Sequence, residues 1–134
     1  MLDQEKILEL AFTAMENAYC PYSSYSVGAC VEVSDGNYFL GANIENASLG
    51  GTNCAERSAV FACYSYGYRK EDIVQLAIVS NGEKLCAPCG ICRQVLCELI
   101  GHETPIILSN HKETMVTNID ELLPMQFTSE DLDK

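Results

Sequence analysis

The sequence predicts an α/β fold, a three-layer α-β-α sandwich around a mixed five-stranded sheet. Five short segments have the β-branched, alternating composition of strands, and longer helix-like segments precede and separate them. In the second half of the chain the strands and helices alternate, which is typical of a layered α/β sheet. Because 134 residues is the length of one domain, we expect a single domain over residues 1–134.

The chain begins with a predicted helix over about residues 2–19. Asp3 is the candidate N-cap, and Pro21 is expected to end the helix, because a proline disfavours the helical conformation in the residue before it. The apolar residues that recur at helical spacing are Ile7, Leu10, Ala11, Ala14, Met15 and Ala18.

A β-hairpin and a second helix are predicted next. Residues 26–34 and 38–43 have strand composition, and the Asp35-Gly36-Asn37 segment between them is a typical hairpin turn. The Gly50-Gly51-Thr52-Asn53 segment then breaks the chain before a helix over about residues 54–66.

The second half of the chain is predicted to alternate between strands and helices, and its polar end, residues 129–134, is expected to fray. The predicted elements are, in order, a strand over 74–80, a turn at 81–82, a helix over 89–100, a strand over 105–110, a turn at 111–113, a strand over 114–117, and a short helix that Asn118 caps and that ends before Pro124.

Composition and charge exclude several classes of protein. Hydrophobic residues make up 48% of the chain, which excludes disorder. The net charge is −11 and the eight basic residues are dispersed, so we expect no nucleic acid partner, since phosphate backbones are bound by clustered positive charge. The chain has no apolar run of roughly 18 residues and no signal-peptide pattern at its start, so we expect a cytoplasmic protein without a membrane partner.

The chain contains eight cysteines, which we expect to be reduced. In a reducing compartment, cysteines bind metal, react or fill space in the core. Cys30 and Cys63 lie in apolar stretches and are predicted to be buried. The sequence assigns no role to Cys20, Cys86 or Cys97.

Three other cysteines predict a zinc site. Cys54 stands alone, whereas Cys89 and Cys92 form a pair after Pro88, and each set lies where a helix is expected to begin. The positive end of a helix dipole lowers thiol pKa values and favours metal binding. Three thiolates leave the fourth position of a zinc ion open for water, as a catalytic site requires. Glu56 is then placed to act as acid and base to that water.

Two alternatives to a catalytic site stay open at this point. Cys86 has plausible spacing to be a fourth ligand in a closed structural zinc site. Alternatively, Cys89 and Cys92 could form a thioredoxin-like redox pair. Neither alternative explains the presence of Glu56.

The motifs around these residues resemble those of a known family. Cys-x-Glu joined to Pro-Cys-x-x-Cys is typical of zinc nucleobase deaminases. The full set of motifs is similar to that of the small cytidine deaminases of the three-cysteine class, which act on free nucleosides. The motifs are Tyr22-Ser23-Ser24-Tyr25-Ser26-Val27-Gly28-Ala29, Asn43-Ile44-Glu45-Asn46-Ala47, Cys54-Ala55-Glu56-Arg57-Ser58-Ala59, Pro88-Cys89-Gly90-Ile91-Cys92-Arg93-Gln94 and Glu121-Leu122-Leu123-Pro124-Met125-Gln126-Phe127.

The resemblance implies an activity and an assembly. We expect a cytidine deaminase-like fold with one Zn²⁺ per chain that hydrolyses cytidine and deoxycytidine to uridine and deoxyuridine plus ammonia, in pyrimidine salvage. It also implies a homotetramer with shared active sites. Two alternatives are a sibling enzyme for another aminopyrimidine nucleoside, such as blasticidin S, and a non-catalytic module stabilised by zinc. The intact Asn43-Ile44-Glu45-Asn46 motif favours cytidine over the sibling's substrate.

The resemblance also implies the substrate contacts. Asn43 and Glu45 are expected to alternate on a strand and to bind the ribose hydroxyls. Tyr25 stands where the family usually has a phenylalanine beside the base, and Ala55 is a further predicted contact. Phe127 corresponds to the aromatic residue that reaches a neighbouring subunit's active site.

Arg57 is predicted to tune the metal. Three thiolates around Zn²⁺ carry a net charge of −1, which makes a bound water less acidic. An arginine three residues after Cys54 can donate hydrogen bonds to the sulfur atoms and offset that charge. The alternative is an ordinary arginine on the helix surface.

Overall fold

Residues 1–132 are described by a computed structural model of the chain, and all five predicted strands form. The helices are α1 (Gln4–Met15), α2 (Ala55–Ser65), α3 (Gly90–Leu99) and α4 (Ile119–Leu122), and the strands are β1 (Val27–Val33), β2 (Tyr38–Ala42), β3 (Ile73–Ser80), β4 (Ile106–Ser109) and β5 (Thr114–Thr117). Short 3₁₀ turns occupy Leu49–Gly51, Lys70–Asp72 and Ser129–Leu132. None of the helices in the described range is long and apolar enough to cross a membrane.

The strands form one mixed sheet in the order β2-β1-β3-β4-β5. β3 and β4 are parallel, whereas the other neighbouring pairs are antiparallel. This topology confirms the predicted mixed five-stranded sheet. Because parallel strands end at the same edge of a sheet, the segments that follow β3 and β4 lie side by side.

Helices cover both faces of this sheet, which confirms the three-layer sandwich. On one face, Ile7 and Ala11 of α1 share a buried cluster with Cys30 of β1 and Ala77 of β3. On the other face, α2 and α3 share a second buried cluster with the alternate residues of β1. All seven residues of β1 are buried, because it is a central strand with helices on both sides. The predicted burial of Cys30 and Cys63 is confirmed, since neither exposes any surface.

The predicted end of the first helix is wrong. α1 ends at Met15, well before Pro21. Of the C-terminal residues predicted to fray, Ser129–Leu132 form an exposed 3₁₀ turn, and residues 133 and 134 lie outside the described range. The chain leaves the helix because Tyr19 pairs with the segment after β2. The Tyr19 amide donates to the Asn43 carbonyl at 2.9 Å, and the Glu45 amide donates to the Tyr19 carbonyl at 2.8 Å.

Gly41 lets α2 approach the sheet closely. A Cβ atom at this position of β2 would lie 2.4 Å from the carbonyl oxygen of Ala55 and 2.6 Å from the amide nitrogen of Ala59. These atoms belong to the helix backbone, which cannot move without moving the helix. The absence of a side chain at Gly41 therefore sets the distance between β2 and the start of α2.

We expect Gly41→Ala to destabilise the protein by about 1–3 kcal/mol, because the added methyl group overpacks the contact between β2 and α2. Urea denaturation monitored by circular dichroism measures this change. Gly50→Ala is the matched control, since a Cβ there meets no atom within 4 Å. Equal stability of the two variants would contradict the close approach.

Candidate metal and active site

Three cysteine side chains converge where α2 and α3 begin. Cys54 is the N-cap residue of α2, Cys89 is the N-cap residue of α3, and Cys92 lies in the first turn of α3. N-cap positions favour residues whose side chains accept a hydrogen bond from the helix, yet neither capping cysteine makes such a bond. Their sulfur atoms are instead directed toward one another, and all three lie within 4.8 Å.

The spacing of the sulfur atoms suits a zinc ion. Cys54 Sγ lies 4.0 Å from Cys89 Sγ, which lies 3.4 Å from Cys92 Sγ. Sulfurs bound to one tetrahedral zinc ion at about 2.3 Å stand about 3.8 Å apart, and the observed distances lie on either side of that value. Among residues 1–132, Cys86 is not part of this group, so the arrangement favours a three-cysteine site over the closed four-cysteine alternative.

Arg57 contacts this group. Its Nη2 atom donates to Cys54 Sγ at 3.5 Å, and its Nε atom is buried without a hydrogen-bond partner among the described residues. A hydrogen bond with Cys92 and then the hydrogen bond and charge of Arg57 lower the pKa of Cys54 to about 5, against the opposing effect of desolvation. A thiol that ionises this easily is a ready metal ligand.

Glu56 is a buried carboxyl beside the cysteine group. It lies in the first turn of α2 and exposes 3% of its surface. Burial raises its pKa, and the charge of Cys54 raises it further. A raised pKa brings a carboxyl closer to the working pH, which is the direction that favours an acid–base catalyst.

A cleft of about 480 Å³ opens beside these groups, a volume within the range that small-molecule sites occupy. Its lining includes all four residues predicted to meet the base or sugar from this chain, together with Glu56 and two of the cysteines of the metal group. The lining residues are Ser23, Tyr25, Val27, Asn43, Glu45, Thr52, Cys54, Ala55, Glu56, Leu85, Cys86, Ala87 and Cys89. The fold therefore places the polar groups and the cysteine group around one space.

Asn43 and Glu45 reach the cleft from irregular backbone, which corrects the predicted strand over 38–43, since β2 ends at Ala42. The Asn43 amide oxygen accepts from the Val27 amide at 2.9 Å, and its nitrogen donates to the Tyr25 carbonyl at 2.7 Å. The Glu45 carboxylate accepts from the Tyr22 and Ser23 amides and from the Ser23 hydroxyl. Both side chains keep unused capacity for a ligand.

Tyr25 forms part of the cleft wall and is 38% exposed. Its ring lies against Gly82, and its hydroxyl faces Ser80 and Cys86. Burial and the hydrogen bond with Cys86 raise the pKa of Tyr25, so the hydroxyl stays neutral at physiological pH. The hydroxyl by which Tyr25 differs from a phenylalanine therefore lies near Ser80 and Cys86.

Phe127 lies outside the chain's own cleft. Its side chain is 55% exposed, and its carbonyl accepts a hydrogen bond from Gln94 of α3 at 2.7 Å. Ala55, in contrast, is fully buried and lines the cleft. The structure therefore brings every predicted site residue except Phe127 to this cleft or to the cysteine group beside it.

Several cleft residues were not identified from the sequence. They are Ser23, Val27, Thr52, Leu85 and Ala87. Ser23 and Val27 stand within the Tyr22–Ala29 motif, which was a signal that could have drawn attention to them. Leu85 and Ala87 precede the Cys89 pair in a loop of ordinary composition, so only the folded chain reveals that they line the cleft.

The chain is similar to known cytidine deaminases along nearly its whole length. A family model described as cytidine and deoxycytidylate deaminase zinc-binding region matches residues 1–108. A cytidine deaminase of Halalkalibacterium halodurans is 45% identical over 132 residues, covering 98% of each chain. A cytidine deaminase of Sporosarcina psychrophila is 42% identical over 132 residues, covering 98% of this chain and 96% of that protein.

Solved structures show the same similarity. The crystal structure of cytidine deaminase from Burkholderia pseudomallei superposes with a TM-score of 0.90 at 40% identity, covering 94% of this chain and all of the other. The cytidine deaminase structure from Mycobacterium tuberculosis gives a TM-score of 0.80 at 37% identity, covering 96% of this chain and 99% of the other.

We expect Cys86→Ser to bind zinc as the unchanged protein does, because Cys86 lies outside the three-sulfur group. Cys89→Ser should lower the zinc content and weaken the retention of zinc against a chelator, since it removes one of three soft ligands. Elemental analysis of the purified variants measures both. Loss of zinc from Cys86→Ser would instead support the closed four-cysteine site.

Proposed function

Because the chain belongs to the cytidine and deoxycytidylate deaminase family, we propose that it hydrolyses free cytidine and deoxycytidine to uridine and deoxyuridine, with release of ammonia. The chain is thus a hydrolase acting on cytidine. The observation that carries the finer proposal is the position of Glu56, a buried carboxyl that lines the same cleft as Cys54 and Cys89.

The three cysteines would hold one zinc ion per chain. Cys54, Cys89 and Cys92 are the ligands we assign, and the ion, when bound, would supply the Lewis acidity that makes a water molecule a nucleophile near neutral pH. Arg57 donates to Cys54 and carries the positive charge that offsets the excess negative charge of three thiolates.

Glu56 carries the proton transfers in this proposal. Its carboxylate accepts a proton from the water that attacks C4 of the base, and it delivers that proton to the ring nitrogen N3. In the second half of the reaction, Glu56 takes the proton of the new C4 hydroxyl and donates it to the amino group, so that the C4–N bond breaks, ammonia leaves and the C4 carbonyl of uridine forms. The low exposure of Glu56 favours this role, because a buried carboxyl exchanges its proton with the substrate rather than with bulk water.

The remaining cleft residues bind and orient the nucleoside. We assign the ribose hydroxyls to Asn43 and Glu45, whose amide and carboxylate can donate and accept beyond their present bonds. Tyr25 and Ala55 lie beside the base in this assignment. The apolar side chains Val27 and Leu85 complete the wall and exclude water from the reacting face of the base.

We further propose a homotetramer in which Phe127 closes the cleft of a neighbouring subunit. Two features support this assembly. Phe127 is more than half exposed and is not among the residues that line its own cleft, and Met125, two residues earlier, is fully exposed. In such an assembly the closed site would leave no room for a nucleic acid strand to extend beyond it. The net charge of −11 also provides no positively charged surface to bind phosphates.

The proposal extends to domain organisation, location and role. We propose that residues 1–134 form one catalytic domain. The eight cysteines, all of which fall in the described range, are unpaired, which suits a reducing compartment, so we assign the enzyme to the cytoplasm. A cytoplasmic enzyme that acts on free cytidine and deoxycytidine serves pyrimidine salvage.

Glu56→Gln should retain zinc and fold but lose at least about 10²-fold in kcat, because the amide cannot accept the proton from water. The decrease in absorbance when cytidine becomes uridine measures the turnover. Glu5→Gln is the matched control, since Glu5 is an acidic residue in the first turn of another helix and does not line the cleft. Near-normal turnover by zinc-replete Glu56→Gln would overturn the mechanism.

Phe127→Ala should raise KM for cytidine or lower kcat, because the neighbouring cleft would lose the aromatic group that closes it. Leu132→Ala is the control, since Leu132 has a similar exposure of 57% in the same C-terminal segment. Sedimentation velocity establishes the oligomeric state of each variant. A fully active monomer, or efficient turnover of a cytosine-containing oligonucleotide, would contradict the shared active site.

A further inference from the structure

Asn110, which follows β4, forms hydrogen bonds with two loops, the one after β3 and the turn between β4 and β5. It is 4% exposed, and its side-chain nitrogen donates to the carbonyls of Gly82 and Glu83, each at 3.1 Å. Its side-chain oxygen accepts from the amides of Lys112 at 3.1 Å and Glu113 at 2.9 Å. All the hydrogen-bonding capacity of the amide is used. The loop after β3 is therefore tied to the turn between β4 and β5.

Asn81, in the loop after β3, forms hydrogen bonds with the backbone on both sides of Tyr25. Its side-chain oxygen accepts from the Ser26 amide at 3.0 Å, and its nitrogen lies 3.5 Å from the Ser24 carbonyl. Its main-chain amide also donates to the Ser26 carbonyl at 3.2 Å. Ser24 has a φ of 60°, a conformation that residues other than glycine rarely adopt and that its surroundings must hold.

The same loop supports the Tyr25 ring directly. A Cβ atom at Gly82 would lie 2.7 Å from Cε1 and 3.3 Å from the hydroxyl oxygen of Tyr25, so the ring rests on the backbone at Gly82. The Gly82 amide donates to the Ser80 hydroxyl at 3.3 Å, which fixes the loop at the end of β3. A shift of the loop therefore shifts both the ring of Tyr25 and the backbone that carries it.

We propose that Asn81 and Asn110 are positioning residues for the deaminase reaction, an inference that rests on the function proposed above. Asn110 sets the position of the loop after β3. Through Asn81 and Gly82, that loop holds Tyr25 at the wall of the cleft, where Tyr25 meets the base. Neither asparagine lines the cleft, so both act through Tyr25.

The loop does not need these amides to hold the metal group. Cys89 lies seven residues after Gly82 and is fixed as the N-cap of α3, whose first turn carries Cys92. The proposal therefore predicts that disturbing Asn81 or Asn110 changes the binding of the base and leaves zinc in place.

Asn81→Asp and Asn110→Asp test this inference. In each variant the oxygen that accepts from backbone amides is kept, while the donating nitrogen becomes a second carboxylate oxygen that faces a carbonyl. Asn37→Asp is the matched control, because Asn37 is an exposed asparagine in the hairpin turn at the opposite end of β1 from the cleft. The measurements are kcat and KM for cytidine, zinc content and thermal stability.

We expect both test variants to raise KM by about fivefold or more, with kcat changed by less than about twofold, because the Tyr25 contact acts equally in the ground state and the transition state. Zinc content should be unchanged, and Asn37→Asp should match the parent. In a Tyr25→Ala background, Asn81→Asp should change KM by less than about twofold, because residues that act through one side chain are not additive.

Three outcomes would overturn the inference. An undiminished effect of Asn81→Asp in the Tyr25→Ala background would mean that Asn81 acts elsewhere. A loss of zinc from either variant would mean that the loop serves the metal group. Test variants that match Asn37→Asp in KM would mean that the amides are structural only. If Asn110→Asp does not fold, Asn81→Asp still tests the inference, because Asn81 is exposed and its substitution is less disruptive to folding.

The parent protein separates this inference from the proposed function. A parent that binds zinc but does not deaminate cytidine would show that the proposed function is wrong, and the inference would fall with it. An active parent with test variants that match Asn37→Asp would show that only the inference is wrong.

Discussion

The convergence of three sulfur atoms at the starts of two helices is the constraint on which the rest of the structure depends. Cys54 comes from α2 and the other two sulfurs come from α3, and all lie within 4.8 Å. The first turns of both helices must therefore meet on one face of the sheet. The glycine at position 41 permits this for α2, because any side chain there would collide with the helix backbone at Ala55.

The same convergence concentrates negative charge, and neighbouring residues offset part of it. Three thiolates and a carboxylate in a partly buried site would repel one another, and burial makes that repulsion stronger than it would be in water. Arg57 supplies a positive charge at Cys54, and burial raises the pKa of Glu56, which makes a negative charge on that carboxyl less favourable. The helix amino ends add partial positive charge at Cys54 and Cys89. The residues that offset or carry this charge, Glu56 and Arg57, lie within three residues of Cys54. A short sequence motif therefore contains this part of the site.

The features that could be predicted from the sequence are those that depend on residues close together along the chain. The strands, α2, α3 and the cysteine group depend on local patterning and on closely spaced residues, and they were predicted with small errors at the ends. The end of α1 was wrong because the chain is drawn out of the helix by pairing between Tyr19 and the segment after β2, more than twenty residues away. Asn81 and Asn110 were missed for the same reason. Both are asparagines in turns, where asparagine is common, and only the folded chain brings Asn81 to Ser24, 57 residues away.

Asn43 and Glu45, the residues assigned to the ribose in the proposed function, also hold the cleft together. Asn43 bonds the backbone at Tyr25 and Val27, and Glu45 accepts three hydrogen bonds from Tyr22 and Ser23. The groups assigned to the ribose are therefore fixed to the segment that carries the base-side aromatic residue. In the proposed site, a nucleoside bound by Asn43 and Glu45 would also hold the ring of Tyr25 in place, because the segment that carries Tyr25 cannot move without disturbing the hydrogen bonds of Asn43 and Glu45. This coupling favours substrates that carry both a base and a sugar, since a free base would leave the polar half of the cleft without a partner.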